Sequence, residues 1–238
     1  MAANRLQAVS GRDSFNPARY RQFYRHFPVP AKTVLDVGCN PGRGGAVLKT
    51  CNPAIELTGI DGVPERIAVL DKSVYDRTLC GLSTQIPASD GSFDVVVAGE
   101  FIEHVPPLQV EAAWAEFFRV LRFKGRLLLT TPNPDYLKNR LKHLSVLQEH
   151  SHLSQHYPDC LAARLRMTGF SKVRVYGSGR VSMFVGQRFP VLSLYGSYLI
   201  RGDKWQPEGS VVAARFSTDH PANGPSQTFP RARQPPPL

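Results

Sequence analysis

Short strand-like runs alternate with helix-like stretches along most of this chain, and this alternation constrains its fold more than any other feature. The clearest strand-like runs are Lys32–Val37, Glu56–Ile60, Phe93–Ala98 and Arg126–Thr131. Phe93–Ala98 (FDVVVA) is apolar almost throughout, which is typical of a strand covered on both faces. Alternating strands and helices predict an α/β fold, with a doubly wound, mostly parallel sheet between layers of helices.

The remaining elements follow from periodicity and from turn residues. Two further strands are predicted at Val74–Cys80 and Lys172–Tyr176. The predicted helices are Ala46–Thr50, Pro64–Lys72, Leu108–Leu121 and Pro158–Thr168. The third helix is predicted by an apolar stripe at helical spacing, formed by Leu108, Ala112, Ala115, Phe118 and Leu121.

Composition divides the chain into three segments. Residues 206–238 contain seven prolines and are otherwise rich in small polar residues, so we predict a largely disordered tail. Residues 1–31 include Phe15–Phe27, where aromatic and arginine side chains interleave. We predict a capping helix or lid there, and contacts to a nucleic acid are the alternative. Residues 32–205 then form the single folded domain.

The net charge of +10 is unevenly distributed over the 238 residues. Residues 32–111 carry eleven acidic and six basic side chains, whereas residues 112–180 carry twelve basic and four acidic ones. Such an asymmetry can indicate an anionic partner, but composition alone favours an exposed basic face.

Cysteine usage and hydropathy bear on the compartment. The four cysteines (Cys39, Cys51, Cys80 and Cys160) are irregularly spaced and form no CxxC pair, so neither a disulfide framework nor a structural zinc site is predicted. No apolar run reaches the roughly 18 residues that a membrane span requires. The N-terminal residues lack the apolar stretch of a secretory signal. We therefore expect a cytoplasmic protein without a membrane span.

A glycine-rich loop directly follows the first predicted strand. Its sequence, Asp36–Gly45 (DVGCNPGRGG), allows the backbone to approach a ligand closely before the next helix begins. Ligands of such sheets bind beyond the carboxyl ends of the strands. Asp36 can bind a ligand ammonium group or order the loop. Asp61 ends the second strand 25 residues later, and a carboxylate there can accept both hydroxyls of a ribose.

These motifs resemble those of a known family. Asp36–Gly42 (DVGCNPG) closely resembles the first motif of class I S-adenosylmethionine-dependent methyltransferases, and Asp61 falls where that family places its ribose-binding acid. Later segments resemble the family's remaining motifs in the same order, at residues 87–105, 119–134 and 152–170. The resemblance covers about 30–204 and implies a Rossmann-like methyltransferase fold with a mostly parallel seven-stranded sheet. The implied cofactor is S-adenosylmethionine.

The resemblance also implies which residues surround the cofactor. The loop would hold the methionine part, Asp61 and Gly62 the ribose, Leu82 and Ser83 the adenine, and Glu100 would line the cofactor-facing side. The full set is Asp36, Gly38, Cys39, Asn40, Gly42, Asp61, Gly62, Leu82, Ser83 and Glu100.

Two positions depart from the family pattern. Asn40 replaces the usual middle glycine, so it would need a positive φ, which asparagine tolerates better than most residues. Leu82 replaces an adenine-binding aspartate that many members carry, so adenine would depend on apolar contacts and backbone donors.

The acceptor side is less constrained. Glu100, Glu103 and His104 are spaced i, i+3, i+4, which places them on one face of a helical turn. His104 is the candidate general base, because a histidine near neutral pKa can take a proton from a substrate hydroxyl. With His150, His152 or His156 the same residues could bind a divalent metal. That set resembles the ExxEH metal site of small-RNA 3′-terminal 2′-O-methyltransferases. We predict no metal site and keep this as the alternative.

The predicted function is therefore methyl transfer to an oxygen or nitrogen of an unidentified acceptor. We favour an oxygen and a small-molecule or glycan-type acceptor, in particular an anionic one. Nucleic acid is not the favoured acceptor. Two alternatives remain: a metal-assisted RNA ribose 2′-O-methyltransferase, and a non-catalytic S-adenosylmethionine-binding or scaffold protein, which Leu82 and Asn40 would suit.

Overall fold

A seven-stranded sheet forms the centre of the protein in the computed structural model, which describes residues 16–205. The predicted tail, 206–238, and the first part of the predicted lid, 1–15, lie outside the described residues. The strands are β1 (Thr33–Val37), β2 (Glu56–Asp61), β3 (Arg77–Cys80), β4 (Phe93–Gly99), β5 (Leu121–Pro132), β6 (Phe170–Ser178) and β7 (Ser197–Lys204).

The strand order is β3-β2-β1-β4-β5-β7-β6. The first five strands pair in parallel, and β7 is antiparallel to both β5 and β6. This order confirms the predicted doubly wound, mostly parallel seven-stranded sheet. Strand order reverses between β1 and β4, so the carboxyl ends of these two strands border the crevice in which such folds bind ligands.

Helices cover both faces of the sheet. They are α1 (Asn16–Tyr24), α2 (Arg43–Cys51), α3 (Pro64–Ala68), α4 (Val110–Val120), α5 (Leu137–Leu141), α6 (Pro158–Thr168) and α7 (Ser182–Val185). Shorter 3-10 turns occupy Ile102–His104, Pro107–Gln109, Val146–Gln148 and Leu192–Leu194. None of the helices within 16–205 combines the length and the apolar character needed to cross a membrane.

Two hydrophobic clusters, one on each face, form where the helices pack against the sheet. The cluster on the α4 and α6 side includes the fully buried Trp114 and Phe117. The cluster on the α1 and α2 side includes Tyr20, Phe23 and Leu48. Phe23 is fully buried, so α1 is an integral part of the packed domain.

The buried face of α4 differs from the apolar stripe that predicted this helix. The residues it buries are Val110, Ala113, Trp114, Phe117 and Val120. Leu108 is 98% exposed, in the turn before the helix. The helix was predicted correctly, but the prediction of its buried face was wrong. Burying Trp114 and Phe117 removes more apolar area from water than burying Ala112 and Ala115 would.

Strand β3 is shorter than predicted. Val74 and Tyr75 both precede it in a turn, where the amides of both residues donate to the Asp71 carbonyl. This turn buries the Tyr75 ring against the first glycine-rich loop. Strand β5, in contrast, begins at Leu121 rather than at Arg126.

Candidate active site

The loop after β1 adopts the left-handed backbone that its sequence suggested. φ is +67° at Gly38, +51° at Asn40 and +84° at Gly42. The positive φ predicted for Asn40 is confirmed, and its side-chain Nδ2 donates to the Gly38 carbonyl at 3.0 Å. Asparagine thus holds the loop turn by a local hydrogen bond where glycine would only permit it.

The same loop is fastened to the end of β2. The amides of Gly38 and Cys39 donate to the Ile60 carbonyl at 2.9 and 3.2 Å. The Asn40 amide donates to Oδ2 of Asp61 at 3.2 Å. The Cys39 side chain is buried in the cluster beneath, and burial raises the pKa of its thiol. Cys39 therefore shapes the loop by packing and hydrogen bonding, as a protonated thiol.

Asp36 lies beneath the loop, fully buried. Its two carboxylate oxygens accept hydrogen bonds from the hydroxyls of Tyr20 at 2.8 Å and Tyr75 at 2.7 Å. Burial raises the pKa of Asp36 to about 6, although both hydrogen bonds oppose the shift. Of the two roles the sequence left open, this geometry favours ordering the loop over binding a ligand ammonium directly.

The two tyrosines need glycine at the start of α2. A Cβ on Gly44 would lie 2.0 Å from the ring of Tyr20, and one on Gly45 would lie 2.3 Å from the Tyr75 hydroxyl oxygen. These glycines therefore make room for the side chains that reach Asp36. Sequence reasoning identified the glycines but not the tyrosines. The signal for Tyr20 was its place in the aromatic and basic N-terminal segment.

Asp61 stands at the end of β2 beside the loop, as predicted. Its Oδ1 accepts from the Val63 amide at 2.9 Å, and its Oδ2 lies 3.6 Å from Nη1 of Arg66. Arg66, on α3, was not singled out from the sequence. The carboxylate is thus held in one orientation by the Asn40 and Val63 amides and by a guanidinium.

The adenine-side residues also come together. Leu82 follows β3, and its Cδ2 lies 3.5 Å from the Cβ position of Gly62. Leu82 is 44% exposed, and the neighbouring Ser83 is half-buried. An exposed apolar side chain beside a glycine is a suitable flank for a flat aromatic ring.

Glu100 follows β4 with a φ of +48°. Its Oε1 lies 3.6 Å from Nε of Arg19, on α1. This oxygen is buried and accepts no hydrogen bond from the described residues. A buried carboxylate oxygen without a donor suits a site that receives a cationic ligand.

The residues present therefore fit S-adenosylmethionine. Acidic side chains at the ends of β2 and β4, Asp61 and Glu100, suit a ribose and a cation respectively. The glycine-rich turn separates them, and Leu82 supplies an apolar wall at the β3 side.

A second group of side chains lies next to Glu100. His104, in the 3-10 turn after β4, is brought to His152, with ring centroids 5.0 Å apart. Glu103 completes the group, and one ligand atom from each of the three residues lies within 4.8 Å of the others. Glu100 precedes this turn, so it does not share one helical face with Glu103 and His104 as the spacing suggested.

Each member of this Glu103–His104–His152 cluster is held by other contacts. Nδ1 of His104 lies 2.8 Å from the Ser151 carbonyl, and Nδ1 of His152 lies 2.7 Å from the Val146 carbonyl. A carbonyl accepts only from N–H, so Nδ1 of each ring carries a proton. Burial lowers the pKa of His104, which favours its neutral, basic form.

Glu103 is fully buried. Its Oε2 accepts from the Thr131 hydroxyl at 3.0 Å, whereas its Oε1 accepts no hydrogen bond within 16–205. Burial, followed by the nearby Glu100 carboxylate, raises the pKa of Glu103. The backbone carbonyl of Glu103 accepts from the Leu153 amide at 2.7 Å, which fixes His152 beside it.

The other two late histidines do not join the cluster. His150 is exposed. His156 is buried, its Nε2 lies 2.9 Å from the Ser154 hydroxyl, and burial lowers its pKa to about 4. Of the three histidines considered from the sequence, only His152 lies at the candidate site.

Comparisons with known proteins agree with this geometry. Residues 35–129 match a family model described as a methyltransferase domain. The malonyl-[acyl-carrier protein] O-methyltransferase of Herminiimonas arsenicoxydans is 33% identical over 133 residues, which is 55% of this chain and 48% of that protein. The mitochondrial ubiquinone biosynthesis O-methyltransferase of Bos taurus is 34% identical over 124 residues, covering 48% of this chain and 32% of that protein. The aligned parts thus span about a third to a half of these curated relatives.

Solved structures share the fold. A SAM-dependent methyltransferase from Archaeoglobus fulgidus superposes with a TM-score of 0.61 at 20% identity, over 79% of this chain and 92% of that chain. Phosphoethanolamine N-methyltransferase 2 of Haemonchus contortus, in complex with S-adenosyl-L-methionine, gives a TM-score of 0.58 at 15% identity, over 80% and 52%. Residues 35–129 thus match a methyltransferase domain, and the seven-stranded sheet around them has the fold of SAM-dependent methyltransferases of known structure.

Proposed function

We propose that this protein transfers the methyl group of S-adenosylmethionine to an oxygen of a small-molecule acceptor, with His104 as the general base. The observation that carries the proposal is the hydrogen bond between Nδ1 of His104 and the Ser151 carbonyl. It places a proton on Nδ1, so Nε2 is the basic atom, and the lowered pKa of His104 keeps that nitrogen unprotonated near neutral pH. The two curated relatives described above are both named as O-methyltransferases.

The cofactor supplies an already activated methyl group, so the main tasks of the protein are to bind, to orient and to accept a proton. Asp61 would hold the ribose hydroxyls and Leu82 the adenine. Glu100 would balance the positive charge of the sulfonium. His104 would take the proton that the acceptor hydroxyl loses as its oxygen attacks the methyl carbon.

The surface after β5 supports an acceptor that is partly apolar and partly anionic. Helix α5 follows the carboxyl end of β5 and borders a cavity of about 320 Å³. Its lining combines apolar and cationic side chains: Tyr136, Leu137, Lys138, Leu141, Lys142 and Leu194. Apolar walls with a few well-placed polar groups are typical of small-molecule sites. The lysines would attract a carboxylate or phosphate on the acceptor.

Calorimetry with S-adenosylmethionine and S-adenosylhomocysteine tests the cofactor part. We expect the wild type to bind both and Asp61→Ala to bind them more weakly by roughly tenfold or more, because two hydroxyl contacts are lost. Failure of the wild type to bind would refute the enzymatic proposal and favour the scaffold alternative. Methyl transfer to panels of phenols, carboxylic acids and amines then tests whether the acceptor atom is an oxygen rather than a nitrogen.

A second candidate function, metal-assisted methylation of an RNA ribose 2′-hydroxyl, is favoured by one specific observation. Oε1 of the buried Glu103 accepts no hydrogen bond from the described residues, and one ligand atom each of Glu103, His104 and His152 lies within 4.8 Å of the others. Two imidazoles and a carboxylate form a donor set that binds Mn²⁺, Co²⁺, Fe²⁺ or Zn²⁺. Histidines that ligate metals usually donate their other N–H to a carbonyl, as both do here.

His152 separates the two candidates, since only the metal-assisted reaction needs it as a ligand. If a cation is required, EDTA and His152→Gln should each abolish transfer, and Mn²⁺ should restore the EDTA-treated wild type. His150→Gln is the matched control because His150 is exposed and lies outside the cluster. Activity that survives EDTA and His152→Gln but is lost in His104→Gln would support the general-base proposal.

A further inference from the structure

A cavity unrelated to the candidate active site lies on the sheet face that α1 covers. Its volume is about 450 Å³. Four arginines line it, together with one histidine and the loop after α7: Arg25, Arg126, Arg188, Arg201, His26, Val185, Gly186 and Gln187. Arg126 precedes Thr131 by five residues on β5, which corresponds to roughly 17 Å along a strand. This arginine pocket therefore lies near the amino-terminal ends of the parallel strands, away from the crevice at their carboxyl ends.

The charges in the arginine pocket are not balanced. Asp203 pairs with Arg126 at 2.6 Å and with Arg201 at 2.9 Å. Arg25 and Arg188 are exposed and form no ion pair with a carboxylate of the described residues. One carboxylate thus faces four guanidinium groups.

The strand register adds to this positive charge. Arg174 on β6 is directly opposite Arg201 on β7, and like charges in directly opposed positions destabilise a sheet. The pKa of His26 is lowered by burial and then by Arg201, Arg126 and Arg188. The three guanidinium groups thus add to the effect of burial on His26.

The walls of the pocket are held in place by hydrogen bonds. Oε1 of Gln187 lies 3.2 Å from Nε2 of His26, and the Gln187 carbonyl accepts from the Gly177 amide at 2.8 Å. The Tyr195 hydroxyl donates to the Gly186 carbonyl at 2.7 Å. Nη1 of Arg126 donates to the His26 carbonyl. The arginines therefore line a cavity with fixed walls, formed where the end of α1 meets the loop after α7.

We propose that the arginine pocket is a binding site for a phosphate group, carried by a soluble phosphate monoester or by a phospholipid headgroup. The planar guanidinium fork matches two phosphate oxygens at once, which a lysine cannot do. A volume of about 450 Å³ also leaves room for the organic part of such a ligand. Phe184 is 86% exposed on α7 beside the pocket, and such an apolar side chain is suited to contact the apolar part of a phospholipid.

Removal of Arg25 and Arg188 tests this site without exposing Asp203. The variant is Arg25→Ala/Arg188→Ala. The control, Arg77→Ala/Arg166→Ala, removes the same charge from exposed arginines outside the pocket. Calorimetry at fixed ionic strength measures binding of pyrophosphate and glycerol 3-phosphate. Co-sedimentation measures binding to phosphatidylcholine vesicles with and without phosphatidic acid. Circular dichroism verifies that both variants are folded.

We expect the wild type and the control to bind, and the pocket variant to bind more weakly by roughly tenfold or more. Binding of the soluble probes assigns the phosphate to a small molecule. Binding only to vesicles that contain phosphatidic acid assigns it to a lipid. The proposal is overturned if the wild type binds no probe, or if the pocket variant binds as tightly as the control. Neither readout depends on methyl transfer.

Discussion

The hydroxyl of Tyr20, on the N-terminal helix, donates a 2.8 Å hydrogen bond to Oδ1 of Asp36, the residue that precedes the glycine-rich loop. Tyr75 donates to the other oxygen at 2.7 Å. Two segments distant in the sequence thus meet on one fully buried carboxyl group. The loop geometry depends on side chains that the loop motif itself does not contain.

Removal of one of these hydroxyls should destabilise the fold. Tyr20→Phe leaves an oxygen of Asp36 buried without a donor, so we expect the free energy of unfolding to fall by about 1–3 kcal/mol. Urea denaturation measures the change. Tyr24→Phe, at a half-buried position on the same helix, is the control and should change stability by less than ~0.5 kcal/mol. Equal effects of the two variants would refute the assigned role of Tyr20.

Asp36 should also make stability depend on pH. Burial raises its pKa from 3.8 to about 6, so the folded state holds the proton more tightly than the unfolded chain. The stability that this proton contributes is complete below about pH 4 and is lost as the pH rises through about 6.

Asp36→Asn removes this titration. In the wild type, the free energy of unfolding should fall as the pH rises from about 4 to 6. In Asp36→Asn this fall should be smaller by up to about 3 kcal/mol, as measured by urea denaturation across that range. Asp159→Asn, at an exposed position, controls for the loss of a surface carboxylate. An unchanged pH profile in Asp36→Asn would contradict the raised pKa.

Gly44→Ala should displace Tyr20. The new Cβ would lie 2.0 Å from the tyrosine ring, so the ring has to move and its hydrogen bond to Asp36 is broken. We expect a loss of about 2–4 kcal/mol. Combining Gly44→Ala with Tyr20→Phe should cost less than the sum of the two single changes. Strict additivity in this double-mutant cycle, measured by urea denaturation, would count against the contact.

Leu82→Ala tests the apolar wall beside Gly62. If Leu82 flanks adenine, truncation should weaken binding of S-adenosylhomocysteine by roughly tenfold, since about 1–2 kcal/mol of apolar contact is lost. Calorimetry measures the dissociation constant. Met167→Ala, which truncates an exposed apolar side chain on α6, should leave it unchanged. Unaltered binding by Leu82→Ala would place adenine elsewhere.

Much of the fold could be predicted because local patterns agree with the tertiary structure. Helix α6 was predicted with its observed bounds, since proline begins it and glycine ends it. Strand β4 differs by a single residue. Strand β7 was not identified from its residues, because Arg201, Gly202 and Asp203 interrupt its apolar run. Asp203 is compensated by Arg201 on the same strand and by the tertiary contact with Arg126.

The candidate site was predictable where a side chain and its partner share one motif, and less so where they do not. Asn40 and Asp61 both lie in the segments that resemble family motifs, and the Asn40 amide donates to the Asp61 carboxylate. The contact of Tyr75 with Asp36 spans 39 residues, and no periodicity in a single sequence reports such a pairing. The choice of His152 over His150 and His156 depended in the same way on how the segment after β5 folds back onto Glu103.

Helix α1 has a consequence for where this domain should be considered to begin. The family match starts at residue 35, and a chain cut there would retain every signature motif. It would nevertheless lose the Tyr20 donor to Asp36, the Arg19 partner of Glu100 and one wall of the arginine pocket. The segment that homology recognises is therefore shorter than the packed domain, and shortened versions of this protein should retain α1.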